Sequence, residues 1–467
     1  MAHELNSKKV THAWTMYDWA NSVYSLTIAT AVFPPYYDSV SKAASIAQQG
    51  TDAAPYMLNF LGFKVVNSAL YSYVLSISFL LVALISPLLS GIADACSNKK
   101  FFMKLFCYTG SLACISMFFF TKTTVYLGLF LFTVSLIGFA GSIVFYNAFL
   151  PEIATEDMFD RLSARGFSLG YIGSVILLLI NLTTIMKPEW FFPVEATIKN
   201  LVNGGLSVAE ATPKATDYYQ QLATRLSFVS VGIWWAGFAQ ITFKHVPETT
   251  LTSNSKNEKI FAKGFKELKK VFTEIRIPSN KVIRTYLIAF FFTSMGVQTV
   301  MYVASLFGSY ELKLPTADLI VLVIIIQLIA TVGAWLFSRI SEKKGNIFSL
   351  IIMIIIWLFI CLMAYFVQNK IQFYILGALV GTVMGGIQSL LRSTYAKLIP
   401  DTSTNHASYF SFYDVCEKLA IVFGTLVFGL LLDITGSMRS SVIALGLFFI
   451  LGLLFISRIK NFKEVHP

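Results

Sequence analysis

Twelve apolar stretches run through this sequence, several longer than 18 residues with few or no charges, and no other feature constrains the fold as much. A helix of that length crosses the ~30 Å hydrocarbon core of a bilayer. Backbone groups in lipid must pair internally, so only helices or closed barrels span membranes. A barrel would show ~10-residue segments of alternating polarity, and these runs are continuous. The predicted spans 1–6 are Trp14–Tyr36, Asn67–Ala93, Phe102–Thr121, Val125–Phe149, Gly166–Met186 and Leu226–Phe243. Spans 7–12 are Tyr286–Phe307, Leu319–Ile340, Ile347–Val367, Phe373–Ala396, Phe412–Ile434 and Val442–Ile456. The first run is too long for a secretory signal core and contains Asp18, so it reads as a retained helix.

The composition agrees: 56% of residues are hydrophobic and 13% charged, against about 25% charged in an ordinary soluble chain. That excludes disordered, collagen-like and typical soluble-enzyme classes. The net charge of +11 would suggest nucleic acid in a soluble protein. Here it follows from loop asymmetry. With the N-terminus placed inside, inner segments hold 25 of the 36 Lys and Arg, outer segments hold 10, and Lys418 lies within span 11. This bias sets both termini in the cytoplasm. The five cysteines fall in or beside apolar runs without CxxC spacing and read as packing residues. Between the halves, Lys256 to Ile275 sets apolar residues on one helical face and lysines on the rest, which reads as a basic amphipathic helix on the inner leaflet.

An internal repeat is visible. Span 2 ends Ser90-Gly91-Ile92-Ala93-Asp94 before Lys99-Lys100, and span 8 ends Ser338-Arg339-Ile340-Ser341-Glu342 before Lys343-Lys344. Tyr146 to Glu152 at the end of span 4 matches Tyr395 to Asp401 at the end of span 10, and Asn21-Ser22-Val23 matches Gln298-Thr299-Val300. Three matches in one order imply two six-helix halves. An acid at a helix end is favoured beside the N-terminus of a facing helix by ~0.3–1 kcal/mol. Asp94 is thus expected against the start of span 11 and Glu342 against the start of span 5, with Lys99 and Lys100 beside them, as a gate between halves.

Polar residues inside a span are costly and default to functional candidates. Asp18, Asn21 and Ser22 share one face of span 1, and Tyr17, Asn21 and Tyr24 form an overlapping row. Tyr17, Asp18, Asn21, Tyr24, Asn147, Gln298, Gln388 and Arg392 are the candidates for solute or proton binding. Asp18 is the foremost charged ligand or proton carrier. On span 11, Asp414 and Lys418 are spaced for an ion pair, with Glu417 pointing elsewhere. Arg165 could pair with these acids. Arg165, Asp414, Glu417 and Lys418 join the gating candidates, and Arg392, Asp414 and Lys418 suit a charged inner gate as well as a pocket. The histidines lack metal-ligand spacing, and no P-loop is present. No metal, cofactor or nucleic-acid partner is expected. A membrane enzyme would need a His or carboxylate cluster at one face and would leave the repeat unexplained.

Several stretches resemble one branch of the major facilitator superfamily. They are MYDWANSVYSLTIATAVFPPYY from Met16, FYNAFLPEIA from Phe145, SARGFSLGYIGS from Ser163, GVQTVMYVASLFG from Gly296, GGIQSLLRSTYAKLIP from Gly385 and FSFYDVCEKLA from Phe410. These are similar to the fungal vacuole effluxers linked to autophagy and their bacterial relatives. The resemblance implies an all-α, polytopic fold of twelve transmembrane helices in two pseudo-symmetric halves. Residues 1–13 would be a cytoplasmic N-terminus, 14–245 and 285–457 the two bundles, 246–284 the linker, and 458–467 a cytoplasmic C-terminus. It also implies a monomeric secondary transporter in a bacterial inner membrane, working by alternating access. Its cargo would be amino acids or similar small polar solutes, moved by efflux, with the proton as the candidate coupling ion. A sugar, peptide or drug permease, or a non-transporting receptor, is the alternative. Met295 stands where relatives often carry an acid, which would leave Asp18 as the only charge at that repeat position.

Overall fold

Packing between helices repeats with a shift of six. The computed structural model describes residues 4–459 apart from 51, 53–55, 61, 97, 248–259, 278–279, 401–402, 404 and 436. Lys256 to Lys259 of the basic segment, Asp401 of the repeat and the outermost terminal residues therefore lie outside the described residues. Among those described, eleven helices are long and apolar enough to cross a membrane. They are spans 2 to 12: Asn67–Cys96, Lys99–Ser116, Val125–Ala148, Glu156–Met186, Val208–His245, Lys281–Tyr310, Thr316–Lys344, Asn346–Phe366, Lys370–Leu398, His406–Thr435 and Met438–Ile456. Span 1 is the twelfth, in three joined pieces: an α-helix Lys8–Val23, a π-helical stretch Tyr24–Val32 and an α-helix Phe33–Gln49.

The widened stretch has a local cause. Pro34 and Pro35 follow it directly. Each proline lacks an amide donor and presses its ring on the carbonyl four residues back, which a wider turn relieves. The chain stays right-handed helical across both junctions. Span 6 starts eighteen residues before the apolar run. Ser207 caps it, its backbone N–H donating to Glu210 Oε2 at 3.1 Å, and the polar first turns stand outside the apolar region. Hydropathy alone does not reveal such an extension. The connection between spans 1 and 2 carries a small antiparallel hairpin, Met57–Phe60 with Phe63–Val66.

Within the first six spans, span 1 packs on spans 5 and 6, span 3 on 4 and 6, and span 2 on 4. Adding six gives the packing of the second set: 7 on 11 and 12, 9 on 10 and 12, 8 on 10. Between the sets, span 2 packs on 11 and span 5 on 8, while span 4 packs on 11 and span 5 on 10. Each member of those couples maps onto the other under the same shift, so the two sets face each other across a pseudo-two-fold axis. The helix Ile260–Arg276 packs against spans 2 and 11 with Val271 and Ile275 buried, so it is docked on the bundle.

Spans 8 and 10 touch backbone to backbone, as small residues allow in lipid. A Cβ on Gly385 would fall on the Ala330 carbonyl, and one on Gly333 on that of Thr382, whereas Gly429 has nothing within 4 Å. Gly385→Ala is expected to lower stability by about 1–3 kcal/mol through overpacking, read as the thermal unfolding midpoint in detergent. Gly429→Ala should leave the midpoint unchanged.

Candidate functional site

One ion pair crosses between the halves inside the bundle. Asp18 of span 1 accepts from Arg392 of span 10, Nη1 at 3.2 Å and Nη2 at 3.1 Å from Oδ2. Tyr146 of span 4 donates to the same oxygen at 2.7 Å. The guanidinium also donates through Nε to Ser163 Oγ at 2.8 Å and through Nη2 to the Ser163 carbonyl at 3.0 Å. Rings of Trp14 and Phe167 flank it, their centroids 5.0 and 4.3 Å from Cζ. Asp18 is 7% exposed and Arg392 3%, so both charges are withdrawn from solvent and depend on each other. Gly166 makes the approach possible, since a Cβ there would land on Asp18 Oδ2. Trp14 fixes Tyr146 by stacking at 4.5 Å and by an indole hydrogen bond to its carbonyl at 2.9 Å.

Two further clusters close the end of the bundle where the chain begins. Asp94, at the end of span 2, accepts from the backbone N–H groups of Ala407 and Ser408 at 3.2 and 2.7 Å, an acid on the positive end of span 11. Lys99 lies between Asp94, at 3.2 Å, and Glu152. Glu152 also meets His406 Nδ1 at 3.2 Å. Across the pseudo-axis the same three helix ends carry Lys397 of span 10, Asn346 of span 9 and Asp160 of span 5. Lys397 Nζ and Asn346 Nδ2 donate to Asp160 at 2.8 and 2.7 Å, and Ser341 Oγ of span 8 does so at 2.8 Å. Both triads thus join corresponding helix ends, span 4 with spans 3 and 11 in one and span 10 with spans 9 and 5 in the other.

Deeper in the bundle, span 11 presents a third cluster. Lys418 meets Asp414 at 3.2 Å and Glu417 at 2.9 Å. Gln298 of span 7 donates to Glu417 at 3.1 Å. Asp414 and Lys418 are buried, while a quarter of the Glu417 side chain is exposed. Tyr171 of span 5 donates to Gln388 of span 10 at 2.6 Å. Among the described residues, every side-chain hydrogen bond or ion pair between the halves lies at mid-span or toward the chain-terminal end.

The structure brings together Asp18, Asn147 and Arg392; Asp94 and Lys99; and Gln298, Asp414, Glu417 and Lys418. Asn147 is the weakest member, 3.4 Å from Arg392. Other expectations need correction. Glu417 shares Lys418 with Asp414 rather than pointing away. Glu342 is exposed, and its neighbour Ser341 makes the contact to span 5, because the helix turn points the longer side chain to solvent. Arg165 is exposed and bonds His12 at 3.1 Å, one helical face away from the acids. Lys100 donates to the Val246 carbonyl at 2.9 Å, tying spans 3 and 6 of one half. Tyr17 and Tyr24 are fully buried in the first half, Tyr24 on Ser135 at 3.0 Å, and Asn21 is buried beside Ser22. Asp160, Asn346 and Lys397 were missed because the apolar runs begin after the first two and end before the third; the long charged first turns of span 5 were the available signal.

Neutralising one partner of a buried pair strands the other charge, at about 3–5 kcal/mol. Asp18→Asn and Arg392→Gln should each lower the unfolding midpoint in detergent markedly. The double variant should recover most of the loss. Additive losses would mean that the two charges are not coupled.

Comparison with known proteins agrees with this architecture. A family model described as "Vacuole effluxer Atg22 like" matches residues 6–464. The chain is 32% identical to the "Uncharacterized MFS-type transporter YxiO" of Bacillus subtilis (strain 168), over 96% of this chain and 94% of that protein. It is 24% identical to "Autophagy-related protein 22-1" of Penicillium rubens, over 88% of this chain and 78% of the relative. The crystal structure of the human organic anion transporter MFSD10 (TETRAN) superposes with a TM-score of 0.65 at 13% identity, covering 97% of this chain and all of the other. This likeness shows a shared fold. The chain is an integral multi-pass membrane protein and belongs to the Atg22-like branch of the major facilitator transporters.

Proposed function

We propose that the chain is a secondary carrier of amino acids or similar small polar solutes, working by alternating access and in the efflux direction. The observation that carries the reading is the one-sided distribution of bonds between the halves. Bonds at the chain-terminal end and none described at the other are what a carrier shut on one face requires. Opening that face would break the Asp18–Arg392 pair and both triads, and the carrier must replace them with contacts on the opposite side. In this reading Asp18 is a gate residue rather than the solute's ligand.

Glu417, Lys418 and Gln298 are the better ligands. They lie near mid-span, at the interface of the halves, and Glu417 keeps solvent access. A carboxylate and an ammonium side by side suit a solute carrying both signs, as an α-amino acid does. Glu417 is also the carboxylate best placed to exchange a proton. The excess of Lys and Arg on inner loops supports a cytoplasmic location for both termini. The family description supports efflux. A monomer suffices, since one chain supplies both halves of the site.

In proteoliposomes loaded with unlabelled amino acids, counterflow of the labelled compound should accumulate label, and Glu417→Gln should reduce it at least about tenfold, as expected for a lost charge-assisted contact. No exchange of any amino acid, with or without a proton gradient, would remove the assigned cargo. Asp94→Asn should loosen the shut end. In a cysteine-free background carrying Ser389→Cys, a maleimide should then label faster than without the Asp94 change. Equal rates would mean that Asp94 does not hold this face closed.

A further inference from the structure

A cavity of about 670 Å³ opens at the chain-terminal end of the first half, away from the interface between halves. The first turns of spans 1 and 5 and the last turn of span 6 enclose it. Its lining includes Lys8, Lys9, His12, Arg161, Arg165 and His245, and no acidic residue. Lys8, Lys9, Arg161 and Arg165 are exposed at the rim, whereas the buried cations elsewhere at this end are matched, Lys99 by Asp94 and Glu152 and Lys397 by Asp160. Among the described residues no carboxylate stands within ion-pair distance of Lys8, Lys9, Arg161 or Arg165. Arg165 Nη2 instead lies 3.1 Å from His12 Nδ1. Arginine can only donate, so Nδ1 accepts and the ring N–H of His12 is on Nε2. A concave site that gathers unmatched cations and donors is built for an anion.

The surroundings say which anion. Ile241, Met158 and Leu162 give the cavity an apolar floor. Along the same faces toward mid-membrane, Trp19, Trp234 and Phe238 form a partly exposed aromatic strip, with centroids 5.4 Å apart for the two indoles and 4.7 Å for Trp234 and Phe238. Trp19 lies flat on Gly173, where a Cβ would meet it at 3.0 Å. The flanking Ile176, Ile180 and Ile233 are exposed, as lipid-facing residues are. Cations at the headgroup level above an apolar strip match a molecule with a phosphate at one end and acyl chains at the other. We propose that this cavity binds the phosphate headgroup of an anionic phospholipid of the leaflet at the chain-terminal end, its acyl chain lying along Trp19, Trp234 and Phe238.

The test uses the full chain in detergent micelles, with the unfolding midpoint measured after adding phosphatidylglycerol, phosphatidylcholine or inorganic phosphate. Phosphatidylglycerol is expected to raise the midpoint by several degrees and the other two to leave it in place. Lys8→Gln/Arg161→Gln/Arg165→Gln should lose most of that shift. Lys266→Gln/Lys269→Gln/Lys270→Gln, on the exposed face of the linker helix, should keep it. An undiminished shift in the first variant, or a lost one in the second, would overturn the site. Inorganic phosphate reproducing the shift would overturn the lipid. Should the first variant melt early in phosphatidylcholine, native mass spectrometry of the unaltered chain decides. One phosphatidylglycerol retained in preference to phosphatidylcholine is expected, and no preference would overturn the assignment.

Discussion

A carboxylate buried in the interior of a bilayer bundle needs a cation to offset its lost hydration, and here the cation comes from the other half of the molecule. Asp18 and Arg392 are buried on opposite sides of the interface and meet at 3.1 Å. Neither half satisfies its own charge. The desolvation cost of each ion is therefore offset only while the two halves touch. That makes the pair a poor source of stability compared with apolar packing and a good source of conformational definition. It states which faces meet and in what register, and it does so at one end of the molecule only.

The remainder of the closed end follows from the same constraint applied to helix termini. Unpaired amides at the start of a buried helix need an acceptor. Span 11 finds one in Asp94 of the opposite half. Side chains at helix ends near the membrane surface can be charged at lower cost than those at mid-span, which is why the triads around Glu152 and Asp160 are there. Close approach of the helices demands small residues. Gly166 lets span 5 pass over Asp18, and Gly385 lets span 10 lie on span 8.

Much of this was legible in the sequence, for physical reasons. Spanning helices announce themselves by length and hydropathy, and the duplication by matching motifs at helix ends. Asp94 could be placed because an acid after an apolar helix has few favourable neighbours. The pairing of Asp18 with Arg392 could not, because the residues are far apart in sequence and either had several candidate partners. Tyr17, Tyr24 and Asn21 illustrate the opposite limit. Helical spacing assigns them to faces but cannot say whether a face looks at the other half or into its own. Asp160, Asn346 and Lys397 escaped because they sit in polar turns that continue a helix beyond its apolar run. Span 1's widened turn is a tertiary solution to a proline pair, visible in sequence only as a break.

The way acids and bases are shared between the halves bears on how a duplicated chain keeps its halves together. The first half brings Glu152 and Asp160 to the interface, and the second brings Lys397 and His406. Repeats that began as copies have in this way become complements. A first half on its own would hold Asp18 and Asp160 without the donors they meet across the interface, and a second half on its own would hold Arg392 without its carboxylate, so a chain cut between its halves would leave two fragments with stranded charge.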